Sequence, residues 1–219
     1  MNVVSWYLVN AANKMLMIWE ATTPDQDCQT PINLTNHAYW NLSGDFRDST
    51  VDKHSLTLKC DNVLPMGPTS IPTGEIMPVQ GTPFDFTGEF SDVGDRERLT
   101  GAIDGGGMPG IDHAFLVNRD HIDSGSFSEV GALRHETSGR QMRIWTTQPA
   151  AVVYTTNWLP ANDFDGIHRQ HAAICLETCM LPNAINMLGT AGWPSSDKVI
   201  LSKDSPYKHV TMHEFTNLL

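Results

Sequence analysis

The 219-residue sequence has no apolar run long enough to span a bilayer and no excess of positive charge. A membrane-spanning helix needs ~20 consecutive apolar residues, so the sequence predicts no membrane partner. Its 14 lysines and arginines stand against 25 aspartates and glutamates, a formal net charge of −11. This balance repels phosphate backbones, and no basic cluster offsets it locally. We therefore expect no nucleic-acid partner.

The sequence also lacks the patterns typical of secreted, metal-binding and nucleotide-binding proteins. Its four cysteines form no C-x-x-C pair, and the pair His168 and His171 has no companion pair at zinc spacing. The first residues lack the basic and apolar regions of a signal peptide. The glycine-rich residues 104–110 are not followed by the Lys-Ser/Thr of a phosphate loop, and they suit a loop that positions Asp112. We expect a cytoplasmic protein with reduced thiols, no metal and no cofactor.

Amphipathic helical stripes are absent too, and a period of two dominates instead. Glycine-, proline- and aspartate-rich connections separate the alternating segments, and no internal repeat or linker interrupts them. This pattern predicts an all-β sandwich or barrel, with residues 1–219 in one domain. The predicted strands are 4–8, 15–22, 31–42, 55–60, 113–118, 130–136, 142–147, 151–156, 173–178 and 209–215.

The segment 31–42 has an unusual polar face. Solvent faces usually carry lysine and glutamate, whereas this face carries groups suited to hydrogen-bonding a neutral polyol. The histidine at its centre can exchange a proton near neutral pH. A structural histidine that bonds its neighbours explains the pattern equally well. The residues of this face are Asn33, Thr35, His37, Tyr39 and Asn41.

Glu177 follows the apolar residues 172–176 and precedes a Pro182-Asn183 turn. Burial at the end of such a strand raises a carboxyl pKa toward the range of a general base. Pairing with a surface cation is the more common situation for a strand-end glutamate. The spacing alone therefore favours an ordinary structural role for Glu177.

Four segments in collinear order resemble the aldose 1-epimerase family. Residues 33–42, NLTNHAYWNL, are similar to the family's histidine motif, and residues 174–178, ICLET, to the segment with its catalytic glutamate. Residues 110–115, GIDHAF, and 147–154, TQPAAVVY, resemble the segments that contribute an aspartate and a glutamine to the sugar site. The resemblance covers nearly the whole chain.

The resemblance implies a galactose mutarotase-like fold, a large antiparallel β-sandwich, and interconversion of the α and β anomers of free hexoses. It makes Glu177 the base at the anomeric hydroxyl and His37 the acid at the ring oxygen. Asp112 and Gln148 would bind the monosaccharide. We expect His37 and Glu177 to face one cleft with a pyranose-sized gap between them.

The resemblance also implies that an N-terminal part of the family fold, with further sugar-binding groups, is missing here, which leaves sheet edges unpaired. Three alternatives remain open. The chain is a sugar-binding fragment without turnover, or a hexose-6-phosphate 1-epimerase, which needs a basic phosphate clamp. Otherwise it is a glycosidase that uses Glu177 and Asp112 as its carboxylate pair.

Overall fold

The computed structural model describes residues 1–25, 27–45, 47, 50–94, 110–119, 125–160 and 168–219. Within these residues the regular secondary structure is almost entirely β-strand, apart from one helical turn, α1 (Ser196–Val199), and two 3-10 turns, Val51–Lys53 and Ala184–Asn186. The strands are β1 (Asn2–Val9), β2 (Lys14–Thr22), β3 (Thr30–Pro31), β4 (His54–Leu58), β5 (Asn62–Val63), β6 (Met77–Pro78), β7 (Ser91–Asp92), β8 (Asp112–Leu116), β9 (Ser128–His135), β10 (Arg140–Thr146), β11 (Ala150–Tyr154), β12 (Cys175–Cys179), β13 (Ile200–Leu201) and β14 (Tyr207–Asn217).

The strands form two principal sheets. The larger has the order β1-β2-β14-β10-β9-β4-β7, and the smaller has the order β12-β11-β8-β5-β6. A short third sheet pairs β13 with β3. Every strand pairing in the described part of the chain is antiparallel, which confirms the predicted all-β antiparallel fold.

The main core lies between the two principal sheets. Alternation along the strands turns Leu133 and Ile144 of the larger sheet inward, where they join Phe115, Val153 and Leu176 of the smaller sheet in one cluster. These side chains are at most 3% exposed. Full burial of a side chain of this size contributes about 1.5–3 kcal/mol relative to exposure.

The predicted strand at residues 31–42 is wrong as a regular strand. Strand β3 ends at Pro31, and beyond it the segment makes a single β-bridge, between Trp40 and Ile174. Its burial still alternates as the sequence predicts, with Ile32 buried and His37 exposed. Asn41 is the exception, since it belongs to the predicted polar face but is buried. The sequence pattern carries no information about which strand lies alongside a segment.

Strand β1 is an exposed edge. It pairs with β2 along its whole length, from Asn2 opposite Thr22 to Val9 opposite Met15, yet all eight of its residues are exposed. Apolar side chains lie on both of its faces, Trp6 at 53% exposure among them. None of the helices in the described ranges has the length and apolar character needed to cross a bilayer.

Candidate active site

Strand β12 carries Cys175 and Glu177 on the face of the small sheet that points away from the core. Its buried residue Leu176 packs into the main core. Because side chains alternate along a strand, the neighbours Cys175 and Glu177 project from the opposite face. Glu177 is therefore in mid-strand, with a side chain 12% exposed.

The antiparallel register extends this face across three strands. Tyr154 of β11 is paired with Cys175 on one side and with Asp112 of β8 on the other. Two residues along the same strands, Val152 of β11 is paired with Glu177 of β12. Two carboxylates from distant parts of the sequence thus lie in adjacent rows of one sheet face.

Polar anchors hold the segment 32–42 along β12, running in the opposite direction. At one end the Asn33 amide donates to the Met180 carbonyl at 3.0 Å and accepts from the Met180 amide at 2.9 Å. At the other end Trp40 and Ile174 exchange two backbone hydrogen bonds of 2.9 Å. The anchors flank the middle of the segment and bring it opposite the middle of β12.

This arrangement brings His37 to Glu177. The His37 Nε2 atom lies 3.2 Å from Glu177 Oε1, and the imidazole is 48% exposed. The Tyr39 ring stacks on the imidazole with centroids 5.1 Å apart, and Tyr154 approaches it edge-on at 6.1 Å. The imidazole is therefore oriented toward the carboxylate and open to solvent on one side.

The pair opens into a cleft of about 320 Å³. Ligand pockets for small molecules commonly begin at ~300 Å³, so the cleft has the volume for a monosaccharide. Its lining combines two carboxylates, an imidazole, two phenols, an indole and one aliphatic side chain: His37, Tyr39, Asp112, Val152, Tyr154, Trp158 and Glu177.

Burial sets the electrostatics of both carboxylates. It raises the pKa of Glu177; His37 acts in the opposite direction, and Asp112 raises this pKa further. Burial also raises the pKa of Asp112, against a hydrogen bond from the Trp158 side chain and the nearby His113 and His37. A raised pKa makes the Glu177 carboxylate a stronger proton acceptor near neutral pH.

Close packing fixes the backbone that leads into Asp112. A Cβ atom at Gly110 would lie 2.0 Å from the Asn157 Oδ1 atom, so a side chain does not fit there. The Asn157 amide donates to the Ile111 carbonyl at 2.8 Å. The rest of the loop that the sequence predicts to position Asp112, residues 104–109, lies outside the described residues.

The structure separates Gln148 from the other three predicted site residues. Gln148 lies in the bend between β10 and β11, is 4% exposed, and lines a different cavity of about 340 Å³ together with Tyr207 and Lys208. Chain direction is the reason, because β11 runs from this bend toward Tyr154 at the cleft. Gln148 is therefore not among the residues that line the cleft, and its contact with the sugar stays a prediction.

A sequence profile of the family described as aldose 1-epimerase matches residues 3–212. The chain belongs to the aldose 1-epimerase family. Galactose mutarotases of Sus scrofa and Homo sapiens are 35% and 33% identical to it over 190 residues, 85% of this chain. The aldose 1-epimerase of Escherichia coli K12 is 29% identical over 218 residues. The chain spans 50% to 57% of the length of these relatives.

Solved structures give the same result for the fold. An aldose epimerase homologue from C. elegans superposes with a TM-score of 0.77 at 25% identity, covering 97% of this chain and 59% of that one. A galactose 1-epimerase from Lactobacillus acidophilus gives 0.74 at 21% identity, covering 98% and 57%. The predicted galactose mutarotase-like β-sandwich is confirmed.

Some cleft residues of this aldose 1-epimerase family member were not predicted from the sequence. Tyr39 carried a signal, since it shares the polar face of His37. Val152 and Tyr154 carried none, because their position depends on the strand register. Cys175 is also new: His37, Cys175 and Glu177 each place one potential metal-ligand atom within 4.8 Å of the others.

Proposed function

We propose that this chain interconverts the α and β anomers of a free hexose by opening and reclosing the sugar ring. The proposal rests on the contact of His37 Nε2 with Glu177 Oε1, which lie 3.2 Å apart in the cleft. An imidazole paired with a carboxylate of raised pKa is suited to exchange two protons with one substrate. The names of the relatives, galactose mutarotase and aldose 1-epimerase, support galactose and similar hexoses as substrates.

The proposed reaction needs a shorter distance between the His37 imidazole and the Glu177 carboxylate than we expected from the sequence. Instead of a pyranose-sized gap, one hydrogen-bond length separates His37 from Glu177. The hydroxyl and the ring oxygen that exchange protons are both bonded to the anomeric carbon. They therefore lie closer together than two hydrogen-bonded atoms. Neighbouring acid and base groups can therefore each reach one of these two oxygens when the sugar lies over both side chains.

In the proposed reaction Glu177 takes the proton from the anomeric hydroxyl while His37 gives a proton to the ring oxygen. The bond between the anomeric carbon and the ring oxygen breaks, and an open-chain aldehyde forms. Rotation about the adjacent carbon–carbon bond exposes the other face of the aldehyde. Reclosure returns one proton to His37 and releases the other from Glu177, so atoms and charge balance.

The other cleft residues support a neutral sugar as substrate. In this proposal Asp112 accepts hydrogen bonds from sugar hydroxyls, and the 61% exposed Trp158 side chain offers an apolar surface for the sugar ring. The two carboxylates disfavour a phosphate dianion, which argues against a hexose-6-phosphate. The direct partner of Glu177 is an imidazole, which favours reversible proton exchange over a carboxylate-pair glycosidase. We place this activity in the cytoplasm, which the four unpaired cysteines support.

Polarimetry tests this proposal. Freshly dissolved α-D-galactose or α-D-glucose should relax to its equilibrium rotation faster with the protein than in buffer. Glu177→Gln keeps the side-chain shape but removes the base, so its rate should equal the buffer rate. Glu214→Gln, a change at a glutamate paired with Lys14 on the far sheet, should keep the wild-type rate.

Sugar binding is measured separately through the fluorescence of Trp158. Galactose should change this fluorescence in the wild type and in Glu177→Gln, but not in Trp158→Phe. Binding with no rate above buffer in the wild type would contradict the proposal and identify a sugar-binding fragment. Equal acceleration by wild type and Glu177→Gln would exclude Glu177 as the base.

A further inference from the structure

We propose that His37, Cys175 and Glu177 form a zinc-binding site whose occupation blocks the cleft. One nitrogen, one sulfur and one carboxylate oxygen of these residues lie within 4.8 Å of one another. The site was not expected, because the sequence contains no zinc-spaced motif. It arises from the tertiary structure, which lays the His37 segment against β12.

The geometry of the three atoms is close to that of a zinc site. Zinc bonds of about 2.0–2.3 Å in tetrahedral geometry put ligand atoms roughly 3.4 Å apart. The His37 Nε2 to Glu177 Oε1 distance is already 3.2 Å, and the Cys175 sulfur lies within 4.8 Å of one ring nitrogen of His37 and one carboxylate oxygen of Glu177. The half-exposed His37 side chain has room to rotate and close the remaining difference.

The donor set selects the metal. A thiolate and an imidazole with one carboxylate suit zinc, whereas magnesium and calcium prefer oxygen ligands. Three protein ligands leave a fourth position, which in this arrangement faces the cleft. Water would fill this position, since the lining there is polar.

Cys175 is the residue that distinguishes this site from the sugar chemistry. It lies two residues before Glu177 on the same face of β12 and is fully buried. Zinc binds the thiolate form of cysteine, so a thiol proton must leave when the ion binds. Zinc binding replaces this proton, which passes to solvent as the sulfur–zinc bond forms.

Occupation of the site would stop anomer exchange. The ion takes the lone pair of His37 Nε2 and an oxygen of Glu177, the two groups that move protons in the proposed reaction. The inhibition rests on the proposed function, but zinc binding does not. Binding and inhibition are therefore measured separately.

The binding experiment uses the chain after dialysis against a chelator. Zinc is titrated in competition with a chromophoric chelator, and we expect one equivalent to bind. Cys175→Ser should weaken the affinity at least ~10-fold, since even indirect ligand contacts are worth that much. Cys179→Ser is the matched control, because Cys179 is a buried thiol on the same strand, and its affinity should equal that of wild type.

Cobalt provides a direct signature of the sulfur ligand. The cobalt-loaded wild type and Cys179→Ser should show a sulfur-to-cobalt charge-transfer band that Cys175→Ser lacks, with thermal unfolding confirming that each variant is folded. Equal affinities of wild type and Cys175→Ser, or equally tight binding of magnesium, would overturn the site. Inhibition is measured by polarimetry. Zinc should inhibit the wild type reversibly and should inhibit Cys175→Ser much less. Zinc binding without inhibition would overturn only the proposal that the ion blocks the cleft.

Discussion

At the residue scale, the histidines of this chain show how strongly position determines their chemistry. Burial lowers the pKa of His209 to about 3 and that of His213 to about 4, so both stay neutral. His209 is within hydrogen-bond distance of the Leu34 carbonyl and the Thr211 hydroxyl. His213 packs between aromatic rings, and neither of its ring nitrogens has a hydrogen-bond partner in the described residues. Only His37 of these three is open to solvent.

Replacing His213 with leucine should stabilise the fold. The change removes a buried polar group without partners, which costs about 1–3 kcal/mol. Between pH 6.5 and about 4 the unfolded chain holds a proton on His213 that the folded protein does not. The free energy of unfolding of the wild type therefore falls as the pH drops through this range, and the gain from leucine should be larger at pH 5 than at pH 8. Urea unfolding at both pH values measures it.

His209→Leu is the comparison, because it deletes hydrogen bonds that His209 makes. It should destabilise the protein at pH 8 while His213→Leu does not. A loss of similar size in both variants would mean that the ring of His213 has partners of its own.

Asp112 should set the pH dependence of the proposed activity. Protonation of Glu177 removes the base, so kcat/KM should fall as pH decreases, with a midpoint above the ordinary glutamate value because burial and Asp112 raise this pKa. Asp112→Asn removes one of these causes and should move the midpoint to lower pH. The pH profile of kcat/KM measures the shift, and an unchanged or higher midpoint would contradict the electrostatic assignment.

At the element scale, the segment 32–42 is positioned by asparagine side chains and one β-bridge, between Trp40 and Ile174, rather than by a strand ladder. Asn33 holds one end to Met180, and Asn41 donates to the Ala172 carbonyl at 2.8 Å near the other. These two members of the predicted polar face therefore anchor the segment on either side of His37, and neither lines the cleft.

Asn33→Ala should lower kcat about 10-fold or more, because small misplacements of a reacting group are costly. Its effect on stability should be about 1–2 kcal/mol, for two hydrogen bonds of ordinary strength. Thr35→Ala is the control from the same face, since Thr35 is exposed and forms no anchor to β12. Equal rates in both variants would show that the anchor does not position His37.

Strand β1 should drive self-association of the isolated chain. It is uncharged, apolar on both faces and at the edge of the large sheet, and exposed edges of this kind pair with other chains. Trp6→Lys should reduce the sedimentation-measured association at a given protein concentration. Ile71→Lys, at a loop residue of similar exposure, should leave it unchanged; an equal reduction would indicate a general effect of charge.

At the scale of the whole molecule, we propose that residues 1–219 form one folding unit. The two principal sheets share one core, and β14 joins β2 to β10 within the larger sheet. Neither sheet buries its inner face without the other. Separate stable units would require separate cores.

Thermal or urea unfolding should therefore show a single cooperative transition. Far-ultraviolet circular dichroism reports strand content, and tryptophan fluorescence reports packing around Trp19 and Trp193, which are both buried but lie in different clusters. Coincident transitions from both probes are expected for a two-state domain. Two resolved transitions would indicate independent units.

The alternation of apolar and polar residues determined most of the strands and the side on which most of their residues lie, because a period of two is a local property of extended chain. The motifs determined the family, and with it the expectation that His37 and Glu177 act together. The alternation of residues 31–42 was correct about side-chain burial as far as Trp40 but not at Asn41, which is buried.

Only the tertiary structure decided which side chains contact His37 and Glu177. Strand register placed Val152, Tyr154 and Asp112 around Glu177 and left Gln148 in another cavity. Side-chain amides and a single β-bridge, not a strand ladder, hold His37 within 3.2 Å of Glu177. The cluster with Cys175 has the same origin, since proximity between distant segments depends on packing and register, which no local pattern encodes.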